Sequence, residues 1–234
     1  VEISHYDLAK DLTWYQRRGG DNQSAGRLFL EQWAPMLAPA TPHMAEEMWS
    51  HLDREDLLAM TTTDIDDPTD EDETHLLTEV YLQIVLDQAR HVKRLAERKE
   101  TTPMTSLVFQ TSSDLPKSLA RLAIEYEATG GDLRGAMADV MRLPETQDET
   151  IRSSVPQMWK RIVNRHYKRT PEEKRMIVFE LDEETILSKN AEFIAHELNL
   201  IEVKCWKAGE GEDVGGKAAV AAPLQPALAF RSGP

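Results

Sequence analysis

Between residues 3 and 18 the apolar positions are Ile3, Tyr6, Leu8, Leu12, Trp14 and Tyr15, a spacing that predicts a helix stopped at Gly19-Gly20. A second helix is expected over 25–37, with Leu28, Leu30, Trp33 and Leu37 inward. Pro35, Pro39 and Pro42 should kink or end it between 34 and 38. Thr41 and Pro42 suit the cap and first position of a third helix, running to about 52, with Met44, Ala45, Met48, Trp49 and Leu52 on its apolar face. Residues 53–73 read as acidic, irregular chain. Leu76, Leu77, Val80, Tyr81, Ile84, Val85, Ala89, Val92 and Leu95 then recur at steps of three and four and predict a long helix over about 73–100. Four such helices with short connections make an antiparallel bundle.

After Pro103 the pattern alternates. Residues 106–111 form a β-type run, and Ser113 or Asp114 caps a helix over 115–128 that ends at Gly130-Gly131. Asp132 is expected to cap a helix to about 142, and Pro144 to interrupt the chain. A long helical stretch over 148–168 comes next, with Pro156 as its blemish. By content, 176–181 is a strand. Asp182 caps a helix over 183–197 with Ile186, Leu187, Phe193, Ile194 and Leu198 inward. Residues 201–207 alternate as a half-buried strand, 209–217 form a loop, and 226–231 a last, hairpin-like strand. The fold class is therefore α+β overall: an antiparallel helical bundle at 1–102, then a small α+β domain with a short sheet at 103–234. There is no internal repeat.

Charge first argues against a nucleic-acid partner, because the chain of 234 residues carries a formal net charge of −14. The distribution alters this. Residues 1–102 hold 21 acids against 10 bases, and 103–234 hold 20 against 17, so the second segment is close to balanced. Seven of the acids crowd between Asp64 and Glu73. One cysteine, Cys205, leaves no disulfide framework and suits a reducing, cytoplasmic setting. No apolar run approaches the roughly 20 residues that span a bilayer, so no membrane partner is expected.

Enzyme signatures are missing: there is no glycine-rich phosphate loop, no nucleophile elbow and no cysteine–histidine pair. His43, Glu47 and His51 fall at helical spacing, but the row is too sparse for zinc and reads as structural histidine, with no metal site. The acidic run at 64–73 lacks the spacing and the glycine of a calcium loop and reads as solvated. Cys205 reads as structural. The basic clusters are more informative. Arg90, His91, Lys93, Arg94, Arg98 and Lys99 end the long helix. Lys160, Arg161, Arg165, His166, Tyr167, Lys168, Arg169, Lys174 and Arg175 crowd another helix and its exit. Within that helix Lys160, Asn164 and Lys168 share one face, and Arg161, Arg165 and Arg169 the next. Such a double stripe suits phosphate contacts or, equally, a solvated helix end. Arg17 and Arg18 add two cations at the end of the first helix.

Residues 37–49 (LAPATPHMAEEMW) resemble the "LAPF-x-PH-x-AEE-x-W" signature of the anticodon-binding helical domain of class I aminoacyl-tRNA synthetases of the Leu/Ile/Val/Met subgroup, with Ala40 where Phe is common. Residues 11–18 (DLTWYQRR) resemble a helix just upstream of it in archaeal and eukaryotic cytosolic leucyl-tRNA synthetases. The step at 131–133, the basic helix around 159–169 and the ending at 215–230 (GGKAAVAAPLQPALAF) are similar to the archaeal type, and the last argues against the isoleucyl, valyl and methionyl alternatives. The resemblance implies a C-terminal portion of an archaeal-type leucyl-tRNA synthetase, a class I ligase. Its partners would be tRNA-Leu, through body and long variable arm, and the upstream catalytic and editing domains of the same polypeptide. ATP and Mg would serve the full-length enzyme and no cofactor this portion. The HIGH and KMSKS motifs are absent, so this chain alone is expected to be inactive. Candidate tRNA contacts are Arg17, Arg18, Arg94, Arg98, Lys160, Arg161, Arg165, Lys168, Arg169, Phe230 and Arg231, the last two near the arm's tip by resemblance. A protein-interaction module whose basic helix docks an acidic partner is the reading from another class.

Overall fold

The computed structural model describes residues 7–54, 56–60, 68–98, 102–211, 216 and 220–233. It divides into two compact units, 1–67 and 68–234. The composition shift lies near 100–105, whereas packing places the long helix in the same unit as the sheet.

In the first unit, α1 (Leu8–Arg17) ends before Gly19, whose φ of +80° reverses the chain. Ile3 and Tyr6 lie outside the described residues. Helix α2 (Gln23–Leu37) starts two residues before its apolar pattern because the Asn22 side chain accepts from the amides of Ser24 and Ala25. Pro35 is accommodated inside it, and the helix stops at Leu37. Helix α3 (Pro42–Ser50) begins with proline at its start as expected. Thr41 occupies the cap position, but its hydroxyl donates back to the Leu37 carbonyl at 3.3 Å instead of capping. Ala34, Leu37, Ala45, Trp49, Leu52 and Leu58 form the core, while Met44 faces solvent. Glu46 accepts from the amides of Leu58 (3.0 Å) and Ala59 (3.2 Å), so the glutamate of the signature pins the short 3-10 turn at Leu58–Met60 to α3.

The second unit opens with α4 (Asp70–Glu97), capped by Thr69 and Asp72 reciprocally. Asp70 to Glu73 are thus the first helical turn rather than loop, where carboxylates meet the positive end of the helix dipole. Asp64, Asp66 and Asp67 lie outside the described residues. Leu77, Tyr81, Leu82, Val85, Leu86 and Ala89 are buried, whereas Leu76 and Leu95 are exposed.

The sheet consists of β1 (Met104–Thr111), β2 (Glu202–Lys207) and β3 (Ala227–Ser232) in the order β2-β1-β3. β2 runs parallel to β1 and β3 antiparallel to it. The hairpin expected between the last two strands is therefore absent, since β1 lies between them. As the central strand, β1 is buried over most of its length, and Leu107 and Phe109 are wholly enclosed.

A helical excursion joins β1 to β2: α5 (Asp114–Ala128), α6 (Met137–Val140), α7 (Glu149–Arg152), α8 (Val155–His166), α9 (Pro171–Val178), α10 (Glu183–Lys189) and α11 (Ala191–Leu198). It departs from expectation at four places. After Asp132 the chain turns and only α6 is helical. Pro156 does not blemish a long helix; it sits in the first turn of α8, and the chain breaks before it at Ser153-Ser154. The expected strand over 176–181 is the end of α9, because Thr170, Pro171 and Glu173 form a capping box that commits the backbone to helix. Glu180, with φ of +51°, then turns the chain. Asn190 divides the helix expected over 183–197 into α10 and α11, with Leu187, Ile194 and Leu198 buried and Ile186 and Phe193 half-buried.

Beneath the sheet, the Tyr81 hydroxyl donates to Glu183 at 3.0 Å, both groups being almost fully enclosed. Burial raises the Glu183 carboxyl despite bonds from the Leu224 amide and Tyr81. Cys205 on β2 is a structural thiol: burial, then the nearby Glu184 and Glu183, push it up to about 12.

Candidate nucleic-acid interface

Helix α8 is sharply two-sided. Val155, Trp159, Ile162, Val163 and His166 are buried along one arc. The opposite arc carries Lys160, Arg161, Asn164, Arg165, Tyr167 and Lys168, all exposed except Arg165, which is half-buried. The apolar arc packs on α5 and α6. Trp159 fixes the helix to the loop before α6, its indole N–H donating to the Leu133 carbonyl at 3.1 Å. His166 is fully enclosed, with Nε2 lying 3.1 Å from a Glu127 carboxylate oxygen, close in distance but bent away from hydrogen-bond alignment.

No Asp or Glu occurs in α8. Among the described residues, no ion pair is formed by Lys160, Arg161, Arg165 or Lys168. Arg161 and Arg165 stand one turn apart, an arrangement of like charge that destabilises a helix by a few tenths of a kcal/mol. Burial, then the adjacent Arg161, lower the Arg165 guanidinium from its ordinary value. Several other cations of the second unit are engaged: Arg90 reaches Glu197 at 2.6 Å, Lys174 reaches Glu127 at 2.7 Å, Arg175 pairs with Glu73, and Lys207 holds Asp114 at 2.8 Å. Single cations such as Arg98, Arg152 and Lys189 are likewise without an ion pair among the described residues, so what marks α8 is the gathering of several on one helix that has no acid.

The other candidates are distributed. Arg17, over the Trp14 ring at 5.3 Å, and Arg18 end α1 in the first unit. Arg94 and Arg98 are exposed at the end of α4, which packs on α9, α11, β1 and β3. Lys99 lies outside the described residues, as does most of 212–219. Phe230 and Arg231 are half-buried on the edge strand β3, opposite Leu107 and Ser106 of β1. Arg169 is a fold contact: its guanidinium donates to the Pro223 carbonyl at 3.3 Å, and burial is the main cause lowering its pKa. Removing it would loosen the turn before β3, so it is a poor probe of binding. Sequence reasoning misses Arg134, because 132–142 reads as a helix. It is exposed in the loop next to Leu133, beside the Trp159 bond. His43, Glu47 and His51 are all exposed on or beside α3 rather than structural. Among the described residues no three His, Cys, Asp or Glu side chains converge on a metal position, and no helix is long and apolar enough to cross a membrane.

Residues 4–105 match the anticodon-binding domain of tRNA ligase. Over that stretch the chain is similar to the tRNA-ligase anticodon-binding domain. Similarity extends past it, into the unit that holds α8. The chain is 29% identical over 235 residues to the leucine–tRNA ligase of Pyrococcus furiosus, covering 97% of this chain and 22% of that protein. It is 25% identical over 237 residues to that of Methanococcus maripaludis, again covering 97% of this chain and 22% of the relative. For the Methanococcoides burtonii ligase the figures are 29% over 235 residues, 97% and 23%. The chain thus spans under a quarter of the length of these relatives, in their C-terminal part. The similarity to these archaeal ligases runs through both the anticodon-binding domain and the α+β region after it.

A pH response arises on the anchoring side of α8. Burial lowers the His166 pKa from 6.5, opposed by Glu127. The unfolded chain therefore takes up a proton that the folded chain refuses, and stability falls as pH drops below about 6.5. Glu183, raised by burial, acts in the opposite direction, so the variant comparison isolates the histidine. Urea midpoints at pH about 7.5 and about 5.5 should differ less in His166→Gln if that variant is otherwise folded. An equal pH difference in both proteins would remove His166 as the cause.

Proposed function

We propose that this chain is the tRNA-binding C-terminal portion of a leucyl-tRNA synthetase. In this reading it holds tRNA-Leu by its body and long variable arm, so that the acceptor end reaches a catalytic domain elsewhere in the polypeptide. The observation that carries it is the basic face of α8, a helix with no acid of its own and, among the described residues, no ion pair on that face, in a chain of net charge −14. Lys160, Arg161, Arg165 and Lys168 contact phosphates and set register, and Arg17, Arg18, Arg94, Arg98 and Arg134 extend the contacts. Selectivity comes from the shape of a protruding arm, the usual route for structured RNA. The chain contributes positioning, and holding a reactive end in place accounts for part of a rate enhancement without touching the reacting atoms. ATP and Mg act at the remote catalytic domain, editing occurs in a further domain of the polypeptide, and the protein works in the cytoplasm. Alone, this chain does not form aminoacyl-tRNA.

Binding of a tRNA-Leu transcript by the 234-residue chain, measured across a salt series, tests this reading. Affinity should fall steeply with salt and exceed that for a tRNA with a short variable arm. The Lys160→Ala/Arg161→Ala/Lys168→Ala variant should bind about 100-fold more weakly, at about 1 kcal/mol per exposed charge contact, with its salt slope reduced by about three. Its melting temperature should stay put, because all three side chains are exposed. Equal binding of both tRNAs would reject the variable-arm reading. Unchanged affinity in the triple variant would reject α8 as the tRNA contact surface and favour the reading in which this basic helix docks an acidic protein.

A further inference from the structure

Tyr167 stands out on the basic face. It is 62% exposed, although a tyrosine ring ordinarily covers apolar surface. It closes α8 at the C-cap position, where its backbone amide bonds to Val163 and Arg165 carbonyls, so its placement is set by the helix end. Two turns earlier on the same arc stands Lys160, one turn earlier Asn164, and Lys168 adjoins it. The enclosed His166 ring meets Tyr167 edge-on, with centroids 5.9 Å apart and planes at 76°. Contact with one neighbouring ring and 62% exposure leave a ring face open to solvent.

An open aromatic face with cations and one amide along the same helix arc has the chemistry of a nucleobase platform. Cations hold the phosphates on either side, the ring takes the base, and an amide supplies a donor and an acceptor to its edge. We propose that Tyr167 stacks an unpaired nucleobase of the bound tRNA, with Lys160 and Lys168 on the flanking phosphates and the Asn164 amide at the base edge. This rests on the α8 face being the tRNA contact. It assigns that face a single-stranded segment, since a base inside a duplex offers no free face.

The test uses the 234-residue chain and a tRNA-Leu transcript with its long variable arm. Tyr167→Phe keeps the ring and should bind as the parent does. Tyr167→Leu and Tyr167→Ala should each lose about tenfold in affinity, within the range that stacking one base provides. Their salt slope should match the parent, because no phosphate contact is removed. Melting temperatures should not move, since the side chain is exposed. Parent-like affinity in Tyr167→Leu or Tyr167→Ala, alongside weakened Lys160→Ala/Arg161→Ala/Lys168→Ala, overturns the stacking and leaves the phosphate face standing. A reduced salt slope in Tyr167→Ala also overturns it, since the ring would then be placing a cation. If all these variants bind as the parent does, both the stacking and the reading beneath it fall.

Discussion

Trp159→Ala should lower the unfolding free energy by about 3–5 kcal/mol, the usual cost of emptying a buried indole site. The side chain is 3% exposed and its N–H holds the Leu133 carbonyl. The truncation therefore opens a cavity under α8 and orphans a carbonyl in the loop that carries Arg134. tRNA affinity should fall too, by loss of the surface that orders the cations rather than loss of a cation. The contrast with the triple cation variant makes this informative: one loses binding at constant stability, the other loses both. Urea denaturation with a constant m-value and a shifted midpoint is the readout. Trp159→Phe, which keeps most of the volume, should lie between the two. A Trp159→Ala protein as stable as its parent would mean that the apolar arc of α8 is not what holds the helix in place.

The second large effect belongs to the sheet. Phe109 is wholly buried on the central strand, in register with Cys205 on the parallel side and Leu228 on the antiparallel side. Phe109→Ala should cost about 3–5 kcal/mol, and Phe109→Leu clearly less, because leucine refills part of the void. Chemical denaturation followed by near-UV and far-UV circular dichroism should show one shared shift for the second unit. A loss below about 1 kcal/mol for Phe109→Ala would show that the site collapses around the missing ring.

The helices and the central strand are legible from periodicity and caps, because burial repeats at the period of the backbone itself. Three of the failures share one cause: local content competing with local punctuation. Residues 176–181 have the apolar, β-branched content of a strand, yet the capping box at Thr170 and Glu173, six and three residues upstream of that run's start, decides for helix. Pro156 reads as a defect by spacing, whereas its position after Ser153-Ser154 makes it an initiator. Asp70 to Glu73 read as loop acids by composition, although Thr69 and Asp72 satisfy a cap. The hairpin error differs in kind, since nothing local says that β1 inserts between β2 and β3. For the candidate site, the basic stripe on α8 is visible in the spacing alone. What the spacing does not show is which cations are already engaged. Arg169, Lys174 and Arg175 sit in the same cluster as Lys160 and Lys168, and only packing separates those tied to Pro223, Glu127 and Glu73 from those left open.

The strand order carries a kinetic consequence. β1 ends at Thr111 and its parallel partner β2 begins at Glu202, so closing that pair gathers the whole helical excursion, α8 included, into one loop. Long-range parallel pairing is slow to form because the entropy of closure is lost before the contacts accumulate. β3, the other neighbour of β1, comes later still in the chain. During synthesis the basic helix therefore emerges well before the strand that locks its loop shut, and for that interval the growing chain carries both a cationic helix and an unpaired β1.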